Sequence, residues 1–392
     1  MSQRFPLGRE EKRQALLATV EGVRDVVTAG ADEAEAGATL PATTVAALAD
    51  AGLFALKLPA VLGGAEADPV TQCEVIEAVS YLDPSAGWCT MIGATGIALP
   101  AAFLREEAIG QIFGGSQVPT AAGAFMPSGQ AVPVDGGYRV SGRWAFASGV
   151  RHAQWMTVGA RVPQEGGGPP EHRMVVVPTA AGQIHDTWQV AGLQGTGSCD
   201  FSLAELFVAE AFTWALGDAQ PQRGGPLYHL GVPGFVANEH AAFALGVGQR
   251  ALDAVIALAQ AKQRGYGKAS ALAARPVIQH MVGEATLRLG AVRALVREIF
   301  AEAWTTVCAG RVPTPQQQAA MRSVATFATE VVVDVTTQAF RAGGGTALYR
   351  TSILQRCLRD INAAAQHLMV SNAAYENYGQ FLLGLADADP MG

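Results

Sequence analysis

Charge is scarce in this 392-residue sequence: Asp, Glu, Lys and Arg make up 16% of it against 49% hydrophobic residues, with a formal net charge of -7. Lys and Arg nowhere gather into the basic patch that nucleic-acid phosphates require, which excludes nucleic acid as a partner. The five cysteines form an odd set without a CxxC pair, which excludes a disulfide framework and a cysteine-rich zinc site. HExxH is missing, as is any tight grouping of His, Asp and Glu, so no metal site is expected. The opening MSQRFPLGREEKRQ lacks the apolar core of a secretory signal, and a cytoplasmic protein is expected. Residues 87–104 carry no charge but contain Gly87, Gly93, Gly96 and Pro100 along with Thr90 and Thr95. They lack the sustained Leu, Ile and Val of a membrane span, and the expectation is a buried core helix with no membrane partner. So little charge on so long a chain predicts surface hidden between subunits, hence a homo-oligomer.

What is present changes texture twice along the chain. Leu16, Val20, Val23 and Val27 recur at helical spacing within residues 10–27, and further helices fit 42–51 and 71–82. Asp83 or Ser85 is placed to cap the apolar helix over 87–104. From about residue 120, short β-prone runs alternate with turn residues: Asp135-Gly136-Gly137 predicts a hairpin, and 155–162 and 173–177 predict strands around a loop at 163–172. This middle part predicts a small β-barrel or sandwich. A Gly- and Pro-rich linker at 220–233 precedes long helical runs at 235–263, 277–309, 315–340 and 352–383. The reading is therefore mostly α with a central β domain: an all-helical domain over 1–117, a β domain over 118–222 and a helical bundle over 223–392. It is not the βαβ alternation of a Rossmann fold.

Four stretches carry candidate chemistry. In GRWAFASG (142–149), Trp144 and Phe146 offer flat apolar surface and Ser148 an uncrowded hydroxyl. The same residues would also make an ordinary strand with core aromatics and a turn serine. No GxSxG elbow surrounds Ser148, which argues against a hydrolase nucleophile. In Gly195-Thr196-Gly197-Ser198, the hydroxyls of Thr196 and Ser198 can meet a ring edge or a phosphate, or simply belong to a loop. Arg264 in KQRGYGK can hold a phosphate or complement a helix end. Finally, Gly343, Gly344 and Gly345 allow a close backbone approach before a segment ending at His367. Helical spacing puts Asp360 and His367 on nearly one face, with Ala363 and Ala364 between them on that face, a surface that can leave room for a flat ligand.

The motifs LADAGLFALKLPAVLGG, YLDPSAGW, GYRVSGRWAFASG, GLQGTGSCDFSLAELFV, ALGVGQRALD and GGG followed by LQRCLRDINAAAQH occur here in this order. In their order and combination the chain resembles the acyl-CoA dehydrogenase superfamily over nearly its whole length. Within it the chain looks most like the oxygenase components of two-component, reduced-flavin-dependent monooxygenases. These include the p-hydroxyphenylacetate, steroid-phenol, dibenzothiophene and indole or indole-acetate enzymes. The resemblance implies an N-terminal helical domain, a middle β-barrel, a C-terminal four-helix bundle and a homotetramer with flavin between subunits. It implies reduced FMN, or FAD, supplied by a separate NAD(P)H:flavin reductase, and reaction with O2 through a C4a-hydroperoxyflavin to hydroxylate a small aromatic substrate.

By motif match Ser148 lies at the reactive edge of the flavin and His367 faces the substrate, where it would deprotonate a phenol or indole N–H. Trp144 and Phe146 would keep the pocket dry, and Thr196, Ser198, Arg264, Gly343 and Gly344 would help to hold the cofactor. The dehydrogenases' carboxylate base, eight residues after the Asp of the R-D pair, would fall at Leu368, and no carboxylate lies between Asp360 and Glu376. Two alternatives stay open: a dehydrogenase with Glu239 as its base, and a non-catalytic flavin-binding descendant.

Overall fold

The computed structural model describes residues 4–164, 166, 168–217, 219–264 and 270–391, with the side chains of Arg264 and Ser270 outside the description. The first predicted helix is two: α1 (Arg9–Gly22) and α2 (Arg24–Gly37) part at Val23, whose φ of -100° and ψ of 0° leave the helical range. Then come α3 (Ala42–Asp50), α4 (Pro69–Leu82), α5 (Pro84–Phe103) and α6 (Glu106–Ile112). Asp68 caps α4 through the Val70 and Thr71 amides. Asp83 accepts from the Ala86 amide at 2.9 Å, as expected for the start of α5.

The strands are β1 (Ala121–Val134), β2 (Gly137–Ala147), β3 (Trp155–Val162), β4 (Glu171–Pro178), β5 (Gln183–His185), β6 (Cys199–Ala209) and β7 (Thr213–Ala215). Val134 pairs with Gly137 across the predicted hairpin, and Gly136 takes the left-handed φ of 76° that the turn requires. The strands pair in the order β5-β6-β2-β1-β3-β4-β7, so the barrel or sandwich is by hydrogen bonding one open sheet among the described residues. Helix α7 (Gly231–Ala261) and the short pair β8 (Gln263–Arg264) and β9 (Ser270–Ala271) lead to α8 (Pro276–Cys308) and α9 (Pro315–Gly343). The chain closes with α10 (Ile353–Ala364) and α11 (Ala373–Leu382).

Two compact units result, and they do not follow chain order. The first takes Met1–Ala67, Trp88–Val190 and Gln194–Tyr228. Its β core is built on Val140, Trp144, Val158, Val175, Val177 and Phe201. Helix α5 runs close against this sheet: a Cβ on Gly96 would lie 3.1 Å from the Ala122 carbonyl carbon, and the Gly96 carbonyl accepts from Thr157 Oγ1 at 3.2 Å. The glycines of the uncharged stretch permit that approach, and α5 is a core helix, 83% buried over its apolar window.

The second unit takes Asp68–Gly87, Ala191–Leu193 and His229–Gly392, so that α4 packs with the C-terminal helices. Helix α7 contacts α4, α8, α9 and α10. It meets α4 backbone to backbone at Gly246, where a Cβ would lie 2.3 Å from the Glu77 carbonyl oxygen. Tyr81 donates to Asp253 at 2.9 Å, and Arg293 pairs with Glu77 at 2.7 Å. Thr314 and Gln317 close a capping box at the start of α9.

Candidate active site

Three of the hydroxyl candidates meet in the first unit. Ser148 Oγ lies 2.7 Å from Ser198 Oγ, and Ser198 Oγ lies 2.7 Å from Thr196 Oγ1. Trp88, from α5, donates its indole N–H to Ser148 at 3.0 Å. Two turns assemble the group. Gly149, with φ 77°, carries the chain out of β2 while its amide donates to the Thr196 carbonyl at 2.9 Å. Gly197, with φ 54°, turns the facing loop where a Cβ would lie 2.9 Å from the Ala38 carbonyl oxygen. Burial deepens along the row: Ser148 is 6% exposed, Ser198 3% and Thr196 0%, so the row comes nearest the surface at Ser148.

Trp144 and Phe146 separate. Trp144 is buried in the sheet core and donates its indole N–H to the Gly159 carbonyl at 2.7 Å, so it offers a ligand no surface. Phe146 is 72% exposed and stands edge-on to Trp188, their centroids 6.3 Å apart at 89°. The strand's alternation fails here: Phe146 takes φ 61°, and the pairing of β2 with β6 shifts between Trp144 and Ala147. A left-handed aromatic residue costs on the order of 1–2 kcal/mol, and such outliers gather at ligand sites.

His367 lies in the second unit, and the helix face predicted for Asp360 and His367 does not form. Helix α10 stops at Ala364, and His367 caps a 3-10 turn at Leu368–Val370, with Nδ1 accepting from the Met369 amide at 3.2 Å. Arg322 of α9 holds this turn open, donating to the Leu368 carbonyl at 3.1 Å and to Ser371 Oγ at 3.3 Å. Asp360 is engaged elsewhere, accepting from the Leu193 amide at 2.7 Å. Buried His240 of α7 lies against His367, with ring centroids 4.4 Å apart at 31°. His367 is exposed at the surface, yet the protein around its ring, His240 included, removes enough hydration to lower its pKa to about 4.

A backbone amide can only donate, so in neutral His367 the proton resides on Nε2. Toward a ligand the ring is then a donor; the base inferred from the sequence requires the opposite tautomer.

The remaining candidates are dispersed. Gly343 ends α9, where a Cβ would lie 2.6 Å from Leu354 Cδ1, and Gly344 follows with φ 57°. Both serve the close turn into α10. The Arg264 side chain lies outside the described residues. Glu239 is 2% exposed. It sits near Cys73, whose thiol is pushed up first by burial and then by the charges of Glu77 and Glu239.

Trp88 and His240 were not singled out from the sequence, since the contacts that define them cross long separations. The first unit holds a perturbed histidine as well, His152. Burial lowers the His152 pKa to about 4 beside Phe54, and its Nδ1 is buried without a hydrogen-bond partner. Its unfolded pKa is about 6.5, so its share of stability is complete above that pH and lost as pH falls toward 4. The apparent Tm is expected to drop between pH 6.5 and 4.5, less steeply in His152→Leu, as a calorimetric pH series would measure.

Residues 9–107 match the N-terminal domain of acyl-CoA dehydrogenase and residues 239–372 its C-terminal domain. The chain belongs to the acyl-CoA dehydrogenase family, in the branch of two-component flavin-dependent monooxygenases. It is 31% identical over 370 residues to indole-3-acetate monooxygenase of Pseudomonas putida, covering 94% of this chain and 93% of that protein. To the oxygenase component of FADH(2)-dependent resorcinol hydroxylase from Rhizobium sp. it is 28% identical, covering 94% of each. XiaF from Streptomyces sp., solved with FADH2 and glycerol, matches with TM-score 0.89 at 26% identity over 98% of both chains.

Proposed function

We propose that this chain is the oxygenase component of a two-component monooxygenase. It takes reduced flavin from a separate NAD(P)H:flavin reductase and, with O2, hydroxylates a small phenolic or indolic compound. Relatives with monooxygenase and hydroxylase names, matched over nearly their full length, support the reaction class. One observation carries the site: the hydroxyl row is least buried at Ser148, two residues from the exposed ring of Phe146. That pairing fits a flavin, which needs hydrogen bonds at its ring nitrogens and apolar contact elsewhere. FMN is the expected form and FAD the alternative.

Bound reduced flavin supplies the activation of O2. Ser148 holds the ring edge, with Ser198, Thr196 and Trp88 behind it. Phe146 and Trp188 exclude water from that edge. His367 presents Nε2–H to the substrate, and a hydrogen bond from there to a phenolic oxygen favours the phenolate, raising electron density on the ring carbon to be oxygenated. Arg322 and His240 fix the position of His367. A homotetramer would cover Val277 and Leu287, exposed on α8. The cytoplasm, where thiols stay reduced, is the expected compartment.

The test mixes protein and reduced FMN anaerobically, then admits 18O2 with indole-3-acetate or resorcinol as probes. One 18O atom per product is expected, and Ser148→Ala should lower product per flavin oxidised by about tenfold or more, with the balance released as hydrogen peroxide. Absence of 18O from every product, together with dye reduction driven by an acyl-CoA, would establish the dehydrogenase instead.

A further inference from the structure

The hydroxyl row admits two hydrogen-bond directions, and Trp88 links the choice to whatever meets Ser148. Three hydroxyls hold three hydrogens, and the two bonds between them use two. In one direction Thr196 donates to Ser198 and Ser198 to Ser148. The indole N–H of Trp88, which can only donate, then takes the second lone pair of Ser148. Ser148 is full as an acceptor, and its own hydrogen must leave the row toward a ligand. In the other direction Ser148 donates to Ser198 and Ser198 to Thr196, which opens a Ser148 lone pair to accept from a ligand and turns the Thr196 hydrogen out of the row. In a third arrangement both neighbours donate to Ser198, whose own hydrogen then has no acceptor within the row, in a site only 3% exposed, where an unpaired donor is unfavourable.

We propose that Ser148, Ser198 and Thr196, with Trp88 as fixed donor, form a reversible hydroxyl relay that lets one site hold a ligand atom either as acceptor or as donor. Resting on the flavin reading above, this is the change a flavin ring nitrogen undergoes on reduction, from bare acceptor to N–H. The relay inverts as a unit, so the protein satisfies both redox forms without moving backbone. Ser198, Thr196 and Trp88 are positioning residues: they act through Ser148, and their effect is on the balance between redox forms.

The experiment measures dissociation constants of oxidised FMN in air and of reduced FMN under strict anaerobiosis, by fluorescence titration of the full-length protein. In Ser198→Ala, Ser148 loses the partner to which it donates when the ligand is a donor. Affinity for reduced FMN is expected to fall by about tenfold relative to that for oxidised FMN, the worth of one lost hydrogen bond. Thr196→Val should shift the ratio the same way by stranding the Ser198 hydrogen, and Thr196→Ser, which keeps the hydroxyl, should restore it. Equal loss for both redox forms in Ser198→Ala and Thr196→Val would overturn the relay and leave only a packing role. Failure of the unaltered protein to bind either form of FMN or FAD would overturn the flavin reading and the relay with it.

Discussion

His367→Ala is expected to cut product per reduced flavin oxidised by about 100-fold or more, while His367→Gln retains a substantial part of it. The reason is the turn that carries the ring. Met369 donates its amide to Nδ1, so the neutral ring keeps its proton on Nε2 and meets the substrate as a donor. The side-chain amide of glutamine can offer an N–H from a similar reach; alanine cannot. The pH profile follows from the same bond. Lost hydration around the ring lowers the His367 pKa to about 4, against about 6.5 for an unperturbed histidine. The productive neutral ring is therefore complete across neutral pH and is lost only as pH falls toward 4, where a protonated Nδ1 would face the Met369 amide donor to donor. Coupled turnover should stay level from pH 8 through 6 and decline below about 5. An acid limb near 6.5, with Gln as inactive as Ala, would instead assign His367 the role of base.

The elements legible in the sequence were those whose cause is local. Asp135-Gly136 makes its hairpin because the turn needs only its own residues, and Asp83 caps α5 three residues from its partner. The glycines in 87–104 marked a buried helix because close packing and membrane insertion require different compositions. The Ser148, Thr196 and Ser198 group was half legible: small hydroxyls at two turns were visible, but not that they join one row. Trp88 completes it from 60 positions away. His367 misled the helical reading for the same reason, since Arg322 on α9 diverts a segment whose own spacing continues a helix. His240 is one of many apolar-flanked positions on α7 until the fold brings it to His367. Strand alternation assumes an extended backbone, and a single left-handed residue, Phe146, put Trp144 inside and Phe146 outside although their spacing predicts one face.

That inversion makes Trp144 the position of largest expected cost to the fold. Its seat is built by absence: a Cβ on Gly129 would lie 2.2 Å from Trp144 Cζ2, and one on Gly142 would lie 2.9 Å from Trp144 Cη2. The glycines of β1 and β2 thus leave a slot filled by the indole, closed on another side by Phe201 at a centroid distance of 6.4 Å. Trp144→Ala empties the slot and leaves the Gly159 carbonyl without its donor, and a loss of about 3–5 kcal/mol is expected. Trp144→Phe fills much of the volume but still orphans the carbonyl, for about 1–3 kcal/mol. Urea denaturation measures both, and FMN titration of the folded Trp144→Phe protein separates core from ligand contact. A core indole predicts a lowered denaturation midpoint with unchanged FMN affinity. An unchanged midpoint with FMN affinity weakened about tenfold would return Trp144 to the cofactor face and require that β2 keep its alternation through Phe146.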